Sequence, residues 1–276
     1  MELQTTPSSD SFGAAVTGID LRRDLAPEQV AAIRKAWLQH QVLAFPGQSL
    51  TLEEFERFAA TLGPYGQDPY FDSLPDHPHV AAVRRDADET TPIFAETWHS
   101  DWSFLASPPS ATLLCSAIIP PVGGDTLFAD QYAAWEALPA GTKALLEKRM
   151  GIHSARRGYA PDGMYGAKDK GRSMAIRYSE DAMATQLHPI ARRHPETGRD
   201  ALFVSPGYTI GIDGMPEDEA TDLLSELFAH QKRDRFVYRH RWSPDMVVMW
   251  DNRCVVHSAT GGYDGHARLL HRITIA

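Results

Sequence analysis

The chain has 276 residues, 43% of them apolar and 23% charged, the composition of an ordinary globular protein long enough to bury a substantial core. Its formal net charge of −9 argues against nucleic acid or an anionic membrane surface as the main partner. Its two cysteines, Cys115 and Cys254, lie in apolar surroundings and read as buried free thiols of a reducing compartment, which excludes a disulfide framework or a zinc finger.

Residues 1–15 have neither a basic n-region nor an apolar h-region, so no signal peptide is read. Along 26–39, Val30, Ile33, Ala36 and Trp37 form a helical stripe, and 42–45 is a short apolar strand closed by Pro46-Gly47. A second helix opens at Thr51, a candidate N-cap, and runs to Leu62 before Gly63-Pro64. Strands are then expected at 80–83, 97–104, 112–119, 125–129, 201–204, 246–250, 254–257 and 269–275, with helices at 133–138 and 216–231. The longest apolar stretch, 111–119, stops at Pro120-Pro121 and is too short to span a bilayer, so a cytoplasmic address without membrane association is expected. Many short strands with peripheral helices fit a mainly β fold, a double-stranded β-helix (jelly-roll) core, better than a parallel α/β sheet. No repeat or linker divides the chain, so 1–276 reads as a single domain. The polar stretch 151–180 reads as a lid over a site or an exposed insertion.

His99-Ser100-Asp101 and the distant His257 carry the chemistry. On a strand, residues two apart share a face, and a third imidazole would complete two histidines and one carboxylate on one side of a metal. That facial set leaves the coordination positions open that a non-heme Fe(II) oxygenase needs. With 12 His and 36 acidic residues, chance also supplies His-x-acid pairs. A second one, His194-Pro195-Glu196, sits in a turn-like run that reads as a solvated loop. The tripeptide gains meaning from its context.

That context is an ordered series of motifs. After Trp98-His99-Ser100-Asp101 come Ser103-Phe104, Pro108-Pro109, Gly123-Gly124-Asp125-Thr126-Leu127-Phe128 and His194-Pro195-Glu196-Thr197-Gly198. Ala201-Leu202-Phe203-Val204, Trp250-Asp251-Asn252-Arg253 and Ala267-Arg268-Leu269-Leu270-His271-Arg272-Ile273-Thr274 follow. Together, from about Gly18 to the C-terminus, they resemble the TauD/TfdA family of Fe(II)- and 2-oxoglutarate-dependent dioxygenases. The resemblance implies His99, Asp101 and His257 as iron ligands. It gives Arg268 to the distal carboxylate of 2-oxoglutarate, with Thr126 hydrogen-bonded to the same group; a planar guanidinium grips a carboxylate with two parallel bonds. Without it, Arg268 would read as an exposed strand residue beside a core face of Leu269, His271, Ile273 and Ile275.

Arg272, four residues on and on the same face, matches an arginine that binds a substrate anion, so an anionic substrate group is implied, with a structural ion pair as the alternative. The taurine-oxidising branch of the family has a substrate-binding histidine where this chain has Asp68, and a carboxylate there would repel a sulfonate. Tyr208, in place of the family's pocket aromatic, joins Arg272 as a substrate contact, with Asp68 and Tyr70 as further candidates. Asp251 and Arg253 read as a structural turn and its salt bridge.

The implied activity is hydroxylation of an unactivated C–H bond in a small, anionic organic substrate. Fe(II) is the metal, 2-oxoglutarate and O₂ are cosubstrates, and succinate and CO₂ are released. The presence of Asp101 argues against halogenation. Desaturation, or cleavage of a C–S, C–O or C–N bond after hydroxylation, stays open. So do a non-catalytic 2-oxoglutarate-binding jelly-roll protein and a zinc hydrolase on the same ligands. The family's dimers and tetramers imply a homo-oligomer.

Overall fold

The strands, in chain order, are β1 (Gln4–Pro7), β2 (Ala14–Thr17), β3 (Val42–Phe45), β4 (Ser73–Leu74), β5 (His77–Arg85), β6 (Ala111–Ile118), β7 (Thr126–Asp130) and β8 (Met150–Ser154). They continue as β9 (Thr185–Pro189), β10 (Ala191–Arg193), β11 (Asp200–Leu202), β12 (Thr209–Ile212), β13 (Val237–His240), β14 (Val247–Asp251), β15 (Val255–Ala259) and β16 (Arg268–Ile275). The helices are α1 (Pro27–His40), α2 (Leu52–Ala60), α3 (Gln131–Glu136), α4 (Ala140–Leu146), α5 (Arg156–Tyr159) and α6 (Glu217–Gln231). This computed structural model describes residues 3–8 and 12–276; residues 1, 2 and 9–11 of the N-terminal stretch lie outside it.

Eight strands form one sheet in the order β1-β2-β3-β14-β6-β16-β5-β4, and β13-β7-β15 form a smaller one. Strand β14 shows how the layers arise. Its Val247 and Met249 point to one side, where Leu43, Phe45, Leu113 and Ile273 meet Ile33 and Trp37 of α1 and Phe55 and Phe58 of α2. Its Val248 and Trp250 point to the other, against Phe128 of β7 and Val255 of β15. The period-two alternation is masked because both faces are covered, so the strand reads as one apolar run. Helix α2 begins as expected: Thr51 Oγ1 accepts from Glu54 N at 3.2 Å while Glu54 Oε2 accepts from Thr51 N at 2.9 Å, a reciprocal cap.

The strand expected at 97–104 does not form. His99 makes a single bridge to His257, and the chain then turns over 101–104 with Trp102 at φ 48°. Side-chain bonds replace a ladder there, Ser100 Oγ donating to Asn252 O at 2.6 Å and Trp102 Nε1 to Asp68 at 2.6 Å. The run 194–198 is the turn expected, but the solvated reading of His194 is corrected. His194 is 1% exposed; its Nε2 donates to Asp251 Oδ2 at 3.0 Å, and its Nδ1 accepts from the backbone of Glu196 and Thr197. A fully satisfied imidazole can be buried in what looks like a polar turn. At the start of 151–180, residues through Ser154 belong to β8, and the irregular segment begins after them. Cys115 and Cys254 are free and buried, and burial pushes the Cys115 thiol up to about 12. Among the described residues, no helix is long and apolar enough to cross a membrane.

Candidate metal and cosubstrate site

The site lies between the two sheets, where β15 brings His257 to the bridge with His99. The pairing is a backbone one: His99 N donates to His257 O at 3.0 Å and His257 N to His99 O at 2.8 Å. The turn after His99 returns Asp101 to the same point. Asp101 Oδ1 is 3.6 Å from His99 Nε2 and 3.9 Å from His257 Nε2, and the two imidazole centroids are 4.2 Å apart. All three residues are under 9% exposed. His99 Nδ1 donates to Thr97 O at 2.7 Å, which fixes the tautomer and leaves Nε2 as a lone-pair donor aimed inward.

The electrostatics favour a cation. Burial pushes the Asp101 carboxyl up, but Arg272, His257 and His99 outweigh it and hold the group well below the usual carboxylate range. Burial, with His99 beside it, lowers His257 to about 3, so its imidazole is neutral. The neutral His257 imidazole, the inward Nε2 of His99 and an ionised carboxylate form the donor set a divalent ion takes. Thr112 Oγ1 donates to Asp101 Oδ2 at 2.6 Å, and Thr112 in turn accepts from Asn252 Nδ2 at 2.9 Å. Neither residue was singled out by the sequence; a threonine inside the apolar run 111–119 was the available signal.

A cavity of about 60 Å³ opens beside the triad, and Thr126, Arg268, Arg272 and Tyr208 line it with His99, Asp101 and His257. Even-numbered residues of β16 face this way, so Arg268, Leu270 and Arg272 share one side while Ile273 and Ile275 pack against the helices. Arg268 is 7% exposed. Its Nη2 donates to Gly124 O at 3.2 Å and its Nε has no partner. Among the described residues, no carboxylate lies within ion-pair distance of it, and burial lowers its pKa. Trp242 Nε1 donates to Thr126 Oγ1 at 3.0 Å, leaving the threonine's own proton free to donate.

The family model described as taurine catabolism dioxygenase TauD, TfdA family matches residues 4–274. The chain belongs to the TauD/TfdA family. It is thereby a non-heme iron oxidoreductase, in a family whose enzymes use Fe(II), 2-oxoglutarate and O₂. It is 35% identical to the alpha-ketoglutarate-dependent 2,4-dichlorophenoxyacetate dioxygenase of Cupriavidus pinatubonensis, over 97% of this chain and 95% of that one. It is 31% identical to an alpha-ketoglutarate-dependent sulfate ester dioxygenase of Pseudomonas putida, over 100% and 90%. Among solved structures, a taurine dioxygenase from Burkholderia xenovorans superposes with a TM-score of 0.82 at 32% identity, covering 99% of this chain and 89% of that one. The AAD-2 structure, in complex with Mn(II) and N-oxalylglycine, gives a TM-score of 0.81 at 29% identity over 100% and 98%.

Against that TauD/TfdA background the remaining candidates divide. Tyr208 lines the cavity, edge-on to His99 with centroids 5.9 Å apart. Tyr70 does not line it: it stacks on Tyr159 at 4.3 Å and buttresses the wall from behind. Asp68 is also one layer back, accepting from Trp102 Nε1 and from Arg272 Nη1. Burial would lower the Arg272 pKa, but the Asp101 and Asp68 carboxylates raise it above its ordinary value. Asp251 and Arg253 form the expected turn: Arg253 Nε donates to Asp251 Oδ1 at 2.8 Å and its Nη2 to Oδ2 at 2.6 Å. His194, Asp251 and Cys254 gather closely enough for a second metal. With a guanidinium on both oxygens of Asp251, that cluster is an ion-pair network.

Proposed function

We propose that this enzyme hydroxylates an unactivated C–H bond of a small organic molecule whose bulk is apolar, at an Fe(II) held by His99, Asp101 and His257. The observation that carries the reading is Arg268, a buried cation with an unpaired Nε in the same cavity as a buried two-histidine, one-carboxylate set. A buried guanidinium without a counter-ion is costly. The distal carboxylate of 2-oxoglutarate fits it, with a second bond from the Thr126 hydroxyl. When bound, Fe(II) with 2-oxoglutarate and O₂ supplies the oxidising power, and succinate and CO₂ leave.

The chain's own residues position and enclose. Arg268 and Thr126 orient the cosubstrate, Tyr208 and Trp102 bound the space beside the ligands, and Tyr159 with Phe94 closes it from water. We read 155–179 as a lid. Arg157 Nη1 ties it to Pro206 O at 2.8 Å and Thr209 O at 3.1 Å, and Tyr165 Oη accepts from Ala95 N at 3.1 Å. The packing of the eight-stranded sheet on β13-β7-β15 we read as a double-stranded β-helix core.

The test is spectroscopic. Anaerobic Fe(II) with 2-oxoglutarate should give the protein a weak visible charge-transfer band that His99→Ala lacks. A wild-type protein with no band would remove the iron assignment.

A further inference from the structure

Arg272 stands 204 residues from Asp68, yet its Nη1 donates directly to Asp68 Oδ1. The guanidinium is fixed from other directions too. Its Cζ lies 5.0 Å from the Trp102 ring centroid and 5.2 Å from that of Phe71, and Trp102 Nε1 bonds Asp68 in turn at 2.6 Å. The side chain is 5% exposed. Arg272 Nη2 is itself buried and ion-paired with Asp101 Oδ1 at 3.2 Å. A cation so enclosed cannot swing away from its internal counter-ion to meet another.

We propose that Asp68 determines specificity. By neutralising Arg272 from within the chain, it makes the metal end of the substrate pocket favour an uncharged group and disfavour an anion. The inference rests on the Fe(II)/2-oxoglutarate reading and narrows it. With that reading, the ferrous charge is balanced by Asp101 and by 2-oxoglutarate together with Arg268, and Arg272 is balanced by Asp68. The metal end of the site is then neutral before substrate arrives, and an anionic group placed there would bring one uncompensated charge into a low-dielectric space. The adjoining cavity, about 120 Å³, is lined by Phe94, Met164, Tyr165, Tyr159 and Tyr208 and suits an apolar or aromatic body, with the exposed Arg157, bonded to backbone carbonyls, also in its wall.

The experiment measures affinity for a matched pair, phenoxyacetate and its uncharged amide 2-phenoxyacetamide. It is done by calorimetry on anaerobic protein loaded with Fe(II) and 2-oxoglutarate. Wild type should not prefer the anion, and Asp68→Asn, which removes the Asp68 counter-charge from Arg272, should gain about tenfold or more in phenoxyacetate affinity with little change for the amide. Asp68→Ser is the second variant, read the same way. Wild-type preference for phenoxyacetate, or no gain of anion affinity in the variants, overturns the proposal and leaves the pair a structural one. The charge-transfer band separates the two failures. If it is absent, the iron reading falls; if it is present without the gain, only the role of Asp68 falls.

Discussion

Thr112 shows how much one hydroxyl can decide. Trp250 Nε1 donates to Asn252 Oδ1, Asn252 Nδ2 to Thr112 Oγ1, and Thr112 Oγ1 to Asp101 Oδ2, at 3.0, 2.9 and 2.6 Å. Each donor finds an acceptor, and the last bond turns the other Asp101 oxygen toward the histidines. Thr112→Val keeps the shape and removes the bond, leaving Asn252 Nδ2 without its acceptor. We expect metal affinity to fall about 10- to 100-fold while the far-UV spectrum is retained. Competition against a chromophoric chelator measures it, and unchanged affinity would show that Asp101 is oriented without Thr112. Single residues were also where the sequence was least legible. That His99, Asp101 and His257 gather at one point is readable from type and motif order, whereas Asn252 and Thr112 have no signature beyond polarity inside apolar runs. Nothing local in Asp68 announces a partner on the last strand.

At the level of elements, β16 was legible and its surroundings were not. Strict alternation put Arg268 and Arg272 on one face, and the structure keeps them there. The strand at 97–104 failed because alternation of side chains says nothing about whether a neighbour offers a ladder; here side-chain bonds and the left-handed Trp102 turn the chain instead. Strands such as β1, exposed along its length, carry no apolar period to read. The turn that meets β16 is equally specific. Gly124 has φ +68°, its carbonyl accepts from Arg268, and a Cβ there would fall 3.2 Å from Arg268 Nε and 3.3 Å from Pro120 Cγ. Gly124→Ala combines backbone strain of about 1 kcal/mol with a push on the guanidinium. The KM for 2-oxoglutarate in a succinate-release assay should rise about tenfold with a smaller effect on kcat. An unchanged KM would make Gly124 a turn residue and nothing more.

Across the whole molecule, buried histidines make stability depend on pH. Burial, with His188 and Arg192 adding to it, lowers His153 to about 3, and burial lowers His240 to about 4 against a small opposing effect of Asp125. Both are neutral in the folded chain and take up a proton near pH 6.5 when it unfolds. The unfolded state therefore binds more protons below that point. The stability they contribute is complete above about pH 6.5 and is lost as pH falls toward their folded values. Each should cost about 2 kcal/mol by pH 5. Thermal melts of the metal-free protein should show Tm falling from pH 7 to pH 5, with a shallower slope in His240→Gln; a flat profile would contradict the assignment. The layered fold itself was readable, because its apolar runs are long and its helices amphipathic. The contacts that join distant segments, such as His194 with Asp251, were not, because sequence spacing carries no information about them.

The main-chain pair joining His99 and His257 bears on how the enzyme acquires its metal. The two histidines we propose as ligands are spaced by peptide hydrogen bonds that need no ion, so the proposed set is brought together by folding alone. Little ordering entropy remains to be lost when a divalent cation enters, and the cation adds stability only through mass action. We therefore expect the metal-free protein to stay folded and to take up a divalent ion again, which a far-UV spectrum before and after chelation checks.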